Sequence, residues 1–295
     1  MRKLAKAAVI LSFLASVIGL AGGFYGALHP LGDSLAVFRL YALAGLLFSL
    51  IGFWIWRKRL LAVLALVIFA YGAFSLRNQF ISPEPVEGLS LGQLNLQFSN
   101  DARQLAEYAK ANAPDIITLQ EVTTDSIPQL AKLRPEYPYQ VICPFASVGG
   151  VAILSKYRFS GRPGQGCNEG LGLVSARVAL PKGDVTVASL HLYWPFPYGQ
   201  SRHLEELLPL LEALERPVIV AGDFNMVPWG TPVERVGAAT GTRVIAGLRF
   251  SKSLFGGVAQ LPIDHVLLPI GWRGSAIAGP KLGSDHNAIL AQFAP

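Results

Sequence analysis

Charge is what this chain lacks most. Only 15% of its 295 residues are Asp, Glu, Lys or Arg, against roughly a quarter in an ordinary soluble domain, which argues against a freely soluble enzyme. Acid is nearly missing from the first 80 residues, where eight of the 25 Lys/Arg face one of the 19 acids, Asp33. The remainder holds 17 bases and 18 acids, so the net +6 belongs to the first segment. The sequence pI of about 9.4 is therefore no signature of a nucleic-acid-binding domain. Cysteine is scarce too: Cys143 and Cys167 are the only two, and neither has the spacing of a zinc site. They could pair in an oxidising compartment or remain two small core residues. Internal repeats, low-complexity stretches, a Gly-x-Ser-x-Gly elbow and a P-loop are all missing.

What the first 80 residues do hold is long apolar runs. Residues 7–28 form an uncharged run of 22, and 40–56 and 60–76 form runs of 17 each. About 20 helical residues cross a hydrocarbon core of roughly 30 Å, so residues 1–80 read as a membrane anchor with three transmembrane helices. A cleaved signal peptide at 7–28 is the weaker alternative, because two more runs follow. Arg2, Lys3, Lys6 and the Arg57-Lys58-Arg59 cluster are expected to stay cytoplasmic. Three crossings would then place the rest of the chain in the periplasm or outside the cell, as part of a multi-pass protein of a bacterial inner membrane. Residues 81–88, with Pro83 and Pro85, read as a short stiff linker, and 89–295 as one domain.

Apolar alternation in that domain predicts strands at 89–97, 115–120, 139–143, 150–155, 173–180, 185–190, 217–221, 263–268 and 288–292. Helical spacing predicts 101–112, 124–133 and 201–214, with Asn100 or Asp101 as an N-cap. Strands outnumber helices, and hairpins mix with β-α units. The expected fold class is α/β, a sandwich of two packed sheets flanked by helices.

Polar residues interrupt the strand ends. Asn95 interrupts Leu94–Leu96, Glu121, His191, Asp223 and Asn225 close apolar runs, Asp264 and His265 sit inside Pro262–Val266, and Asp285-His286 precedes the last strand. Each alone could be a cap, an Asx-turn or a satisfied histidine. Together they supply hard oxygen donors plus histidines, the inventory of a Mg²⁺ or Mn²⁺ site rather than a zinc site. His265 alternates with Asp264 along a strand and is expected to face away, as a structural residue.

The motifs LQE (119–121), GVAILSK (150–156), SLH (189–191), GDFN (222–225), PIDHVL (262–267) and GSDH (283–286) occur in the order of the endonuclease/exonuclease/phosphatase superfamily, which residues 88–295 resemble. With the apolar runs in front, the chain looks most like a membrane-anchored bacterial subgroup that includes teicoplanin-resistance-associated membrane proteins. The resemblance implies a four-layer αββα sandwich and metal-dependent phosphoester hydrolysis. It implies Glu121 as principal Mg²⁺ ligand, helped by Asn95 and Asp285, with Mn²⁺ as a possible substitute. Asp223 would orient or deprotonate the attacking water, Asn225 would hold a phosphate oxygen, and His286 would stabilise developing charge with Asp264 fixing its tautomer. His191 would contact the phosphate or act near the leaving oxygen.

The substrate class is less sharply written. A near-neutral domain lacks the Lys/Arg grip of a nuclease. Trp194, in the aromatic stretch 193–198, and Trp229, after GDFN, could contact a membrane interface or stack bases, and Arg202 could clamp a phosphate. The expectation is a phosphohydrolase acting on a phosphorylated or pyrophosphorylated lipid at the outer membrane–water interface. An anchored nuclease cleaving DNA or RNA is the alternative, and a catalytically silent scaffold is disfavoured by the intact motif set.

Overall fold

Breaks in the apolar runs shape the N-terminal segment of the computed structural model, which describes residues 1–81, 83–146, 148–161 and 166–295. The first run folds as α1 (Arg2–Gly22) and stops at Gly22 and Gly23, where successive glycines weaken a helix. The turn-like break then contains a short helix, α2 (Pro30–Ala36), with Pro30 in its first turn and His29 Nδ1 accepting from Leu31 N at 3.1 Å. The other runs become α3 (Arg39–Ile55) and α4 (Arg59–Ser75). Leu20, Leu43, Leu46, Phe53 and Ala65 pack between these helices, while Leu47, Ile51, Trp54, Leu64, Val67 and Phe74 stay exposed.

The expectation of three transmembrane helices is corrected here. Among the described residues α1 alone is long and apolar enough to cross a membrane by itself. Helices α2 and α3 pass only as a pair bent by 60°, and α4 stops at 17 residues. The bend has a physical cause: α2 is diverted onto the following domain. Asp33 Oδ1 accepts from Thr231 N at 2.9 Å, Ser34 Oγ donates to Phe196 O at 2.7 Å, and Trp229 Nε1 donates to Ala36 O at 2.9 Å.

The domain runs β1 (Leu89–Asn95), α5 (Arg103–Asn112), β2 (Ile116–Val122), α6 (Ile127–Ala131), β3 (Tyr139–Ala146) and β4 (Gly149–Ser155). It continues through β5 (Cys167–Asn168), β6 (Leu173–Leu180), β7 (Gly183–His191), α7 (Gln200–Glu212), β8 (Val218–Asp223), α8 (Thr231–Thr240) and β9 (Thr242–Val244). It closes with β10 (Lys252–Leu254), β11 (Ala259–Leu261), β12 (Asp264–Pro269), β13 (Arg273–Ala278) and β14 (Ile289–Ala294). One six-stranded sheet has the order β13-β14-β1-β2-β4-β3, a second β5-β6-β7-β8-β12-β9, and β10-β11 form a separate hairpin.

Helix α6 is shorter than its spacing predicts because Ser126 Oγ turns back onto Thr123, accepting from its N–H and donating to its carbonyl. Helix α5 starts at Arg103, since Asn100 and Asp101 accept from the N–H groups of Ala102 and Arg103 in Asx-turns. Strands β5, β9, β10, β11 and β13 were not legible as alternating apolar runs. Residues 81–88 carry no regular element in the part described, yet Val86 N donates to Ser275 Oγ at 3.3 Å, so this segment lies on the domain.

The two sheets pack face to face through Leu91, Ile153, Val174, Val187, Ile219, Val266 and Ile289. Helices α5 and α6 cover the outer face of the first sheet with Leu105, Ala109 and Leu130. Helices α7 and α8 cover the second with Leu204, Leu207, Leu211 and Val236, each leucine contributing roughly 1.5–3 kcal/mol by burial. Gly222 is required where β7 and β8 run together, because a Cβ there would lie 1.9 Å from Leu190 O. Cys143 and Cys167 form a disulfide across 24 residues, joining edge strand β3 of one sheet to edge strand β5 of the other. Closing a loop of that length constrains the unfolded chain by about 3 kcal/mol. Replacing both cysteines by serine is therefore expected to lower the unfolding free energy in denaturant titrations by about that amount. An unchanged midpoint under oxidising conditions would contradict the bridge.

Candidate active site

Strand register brings the polar strand ends together. In the second sheet His191 pairs with Asp223 across the parallel β7–β8 ladder, and Asp223 pairs with Asp264 across the antiparallel β8–β12 ladder. Three adjacent strands thus present three polar side chains in one row. In the first sheet Asn95 ends β1 and faces Gln120 of β2. Glu121 is redirected from the pleat by a positive φ of 56° and a register shift between Leu119 and Val122. Asn95 then ties the two sheets together: its Nδ2 donates to Glu121 Oε1 at 3.0 Å and to Asp223 Oδ2 at 2.9 Å.

His286 enters from the segment before β14. Its backbone N–H donates to Ser284 Oγ at 2.9 Å, and that hydroxyl donates to Asn95 O at 2.7 Å. Its Nδ1 lies 2.7 Å from Asp264 Oδ2, and its Nε2 lies 3.8 Å from both Asp223 Oδ2 and Asp285 Oδ1. His191 Nε2 lies 3.7 Å from Asp223 Oδ2. Asn225, at a φ of 46°, donates from its N–H to Asp223 Oδ1 at 2.8 Å and from Nδ2 to Leu192 O at 2.8 Å. Among the described residues the buried His191 Nδ1 and Asn225 Oδ1 have no hydrogen-bond partner.

Burial sets the protonation of this group. Desolvation pushes the Asp223 carboxyl up to about 6, with the Asp264 charge adding to it and His286 opposing it. Desolvation alone would lower His286, but the carboxylates of Asp264 and Asp223 outweigh it and lift the imidazolium to about 9. Asp264 resists its own desolvation through His286 and stays below the ordinary carboxylate range. His191 is pushed down to about 4 by burial, against the pull of Glu121. The result is a neutral imidazole and an imidazolium on either side of one poised carboxyl.

The donor set fits a divalent cation. Glu121, Asp223, Asp264 and Asp285 supply four carboxylates, against the His286 imidazolium and the ammonium of Lys252, which pairs with Asp285. The tightest grouping of possible ligand atoms among the described residues is Asp223, Asp264 and His286, within 4.8 Å of one another. A protonated His286 held by Asp264 has no free lone pair for a metal. Glu121 and Asp285 are less buried oxygen donors at the edge of the cluster, and oxygen is what Mg²⁺ prefers.

Asn95, Glu121, His191, Asp223, Asn225, Asp264, Asp285 and His286 therefore meet at one end of the sandwich. Asn95 turns its Oδ1 to Gln97 N at 2.8 Å and its amide nitrogen to the carboxylates. His265 faces away and meets Met226 O at 2.7 Å. Arg202 is exposed on α7, and Trp194 is partly exposed on the loop after β7. Trp229, expected at the substrate, donates its indole N–H to Ala36 O and packs against the N-terminal helices.

Sequence reasoning missed a polar layer beneath the site. Gln93 Nε2 donates to Gln120 Oε1 at 2.7 Å and to Asp264 Oδ1 at 3.0 Å, and Gln120 Nε2 donates to Ser189 Oγ at 3.0 Å. The two-residue period that puts Gln93 on the face of Asn95 was the available signal. Lys252 was also missed, and no motif around it marks it.

Residues 92–286 match the model of the Endonuclease/Exonuclease/phosphatase family, and the chain belongs to that family, whose members are metal-dependent phosphoester hydrolases. No curated protein matches the chain significantly. Among solved structures it is similar to a Staphylococcus aureus beta toxin double mutant with bound magnesium ions, with 14% identity, 70% of this chain and 99% of that one covered, and a TM-score of 0.55. It is similar to sphingomyelinase C from Streptomyces griseocarneus at 17% identity, covering 70% and 99%, with a TM-score of 0.52. It also resembles the 3′ phosphatase NExo from Neisseria, bound to a product DNA hairpin, at 15% identity, covering 70% and 100%, with a TM-score of 0.56. At these identities the likeness establishes the fold.

The His286–Asp264 pair carries a pH signature. Because the folded-state value of His286 is raised to about 9, its stabilisation is fully present below the unfolded value of roughly 6.5 and is lost as pH rises through 9. Imidazole NMR of the metal-free protein should show His286 titrating near 9 and, in Asp264→Asn, substantially lower. Titration of His286 near 6.5 in the wild-type protein would contradict this electrostatic picture.

Proposed function

We propose that this protein is a membrane-anchored, Mg²⁺-dependent phosphohydrolase that cleaves a phosphoester or pyrophosphate of a lipid-linked substrate at the membrane surface. The observation that carries the reading is the junction between α2 and the site loops. The loop leaving His191 is bonded to α2 through Phe196, and the segment leaving Asn225 is bonded to it through Trp229 and Thr231. The strand ends that carry the polar cluster thus adjoin the helices whose outer faces are apolar. Trp194, Phe196 and Tyr198 are exposed on the same loop, at a level suited to a headgroup region.

The domain is assigned to 89–295, after an anchor within 1–80 and a connecting segment at 81–88. Placement outside the cytoplasm is favoured by the Cys143–Cys167 disulfide, since such bonds persist in oxidising compartments, and by Arg2, Lys3 and Lys6, which would hold the start of α1 inside while that one helix crosses.

Glu121 and Asp285 are the residues assigned to hold Mg²⁺, with Mn²⁺ as a substitute, and Asn95 would join them only with its amide turned over, since its Nδ2 now faces the carboxylates and its Oδ1 accepts from Gln97 N. When bound, the ion supplies Lewis-acid stabilisation of phosphoryl charge. Asp223, poised near 6 by burial, orients a water and accepts its proton. The Nδ2 of Asn225 gives one N–H to Leu192 O and has a second for a phosphate oxygen, while its Oδ1, without a partner among the described residues, can accept from a phosphate hydroxyl or a water. The His286 imidazolium, oriented by Asp264, meets the charge developing on the phosphoryl oxygens. His191, neutral and with a free Nδ1, stands near the leaving oxygen. Arg202 is available to clamp a second phosphate.

Purified full-length protein with Mg²⁺ is expected to release inorganic phosphate from a polyprenyl pyrophosphate, and EDTA should abolish the release. Glu121→Ala and Asp223→Ala should each reduce the rate by at least about 100-fold. Mg²⁺-dependent plasmid nicking with the same sensitivity, and no phosphate release, would overturn the lipid reading in favour of a nuclease.

A further inference from the structure

We propose that Lys252 is a specificity-determining residue that selects a terminal, doubly charged phosphate over a phosphodiester. The proposal rests on the hydrolase reading above and narrows its substrate class to phosphomonoesters and pyrophosphates.

Lys252 belongs to none of the sequence motifs, yet the backbone frame of the site places it. Its strand β10 makes an isolated bridge to His286, and Asn287 N donates to Ser251 O at 2.7 Å beside it. Ser251 Oγ accepts from Asp264 N at 3.1 Å. The segment that carries Lys252 is therefore built into the support of the Asp264–His286 pair. The hairpin's other strand is pinned to the anchor: Tyr41 OH donates to Gln260 O at 2.8 Å and accepts from Gln260 N at 2.8 Å.

The side chain is 14% exposed, and its ammonium pairs with Asp285, whose other oxygen lies 3.8 Å from His286 Nε2. Among the described residues no other Lys or Arg forms an ion pair with a carboxylate of this cluster. The Asp285 side chain is 39% exposed and is assigned above to the metal ion, so its charge would still be met, by the ion and by water, when the ammonium turns to a substrate. Lysine suits that transfer, as a point charge on a flexible stem with three donors. A phosphodiester carries one negative charge. A terminal phosphate carries close to two above its second ionisation near pH 6, along with one more unesterified oxygen. The second charge is what an additional ammonium can read.

The test compares p-nitrophenyl phosphate with bis-p-nitrophenyl phosphate in full-length protein with Mg²⁺, and measures binding of inorganic phosphate by calorimetry. In Lys252→Gln the monoester-to-diester ratio of kcat/KM should fall by roughly 10- to 100-fold, the size of one charge-assisted hydrogen bond. Phosphate affinity should fall with it, and Lys252→Arg should retain most of both. Equal loss on both esters, or unchanged phosphate affinity in Lys252→Gln, overturns the proposal. If wild-type protein hydrolyses neither ester and releases no phosphate from a polyprenyl pyrophosphate, the hydrolase reading fails. The calorimetry then still decides whether Lys252 recognises phosphate.

Discussion

The structure depends on four carboxylates held close together at one end of the sandwich, two of which, Asp223 and Asp264, are fully buried. Strand register forces the arrangement: once β7, β8 and β12 pair as they do, His191, Asp223 and Asp264 must lie side by side. Buried like charges are costly unless cations or donors meet them. One imidazolium, one ammonium and the bridging amide of Asn95 meet part of that demand. The deficit that remains is what suits the site to a divalent ion and, behind it, to a phosphoryl group.

The same strand ends continue into the segments that touch α2. The polar cluster and the N-terminal helices thus share a hydrogen-bonded boundary through Asp33, Ser34, Ala36 and Tyr41. Helix α2 is the element that makes this possible. Its Gly32 lies so close to the preceding turn that a Cβ would meet Gly26 N at 2.5 Å. Bending the chain there sacrifices a straight second span and places the domain's functional end against the apolar helices.

Much of the site was legible in the sequence because its chemistry interrupts apolar strands. Glu121, His191 and Asp223 stand out as polar terminators of buried runs, and the alternation of Asp264 and His265 put one in the polar cluster and the other on the opposite face. Lys252 was illegible because its strand is three residues long and its partner, Asp285, is 33 residues away. Gln93 was hidden inside a strand that reads as apolar overall. Strands β9 and β13 escaped because their positions at sheet edges allow mixed polarity. The N-terminal segment departs from its hydropathy reading for a related reason: hydropathy records length and composition, whereas the bend at α2 comes from tertiary contacts made by residues almost 200 positions later.

The most direct test of the account is equilibrium binding of Mn²⁺, followed by electron paramagnetic resonance, to the wild-type protein and to Glu121→Gln and Asp264→Asn. The account predicts one Mg²⁺-displaceable ion per chain, lost in Glu121→Gln and retained in Asp264→Asn. Binding that survives in Glu121→Gln but disappears in Asp264→Asn would contradict it, by moving the ion to the Asp223–Asp264–His286 grouping.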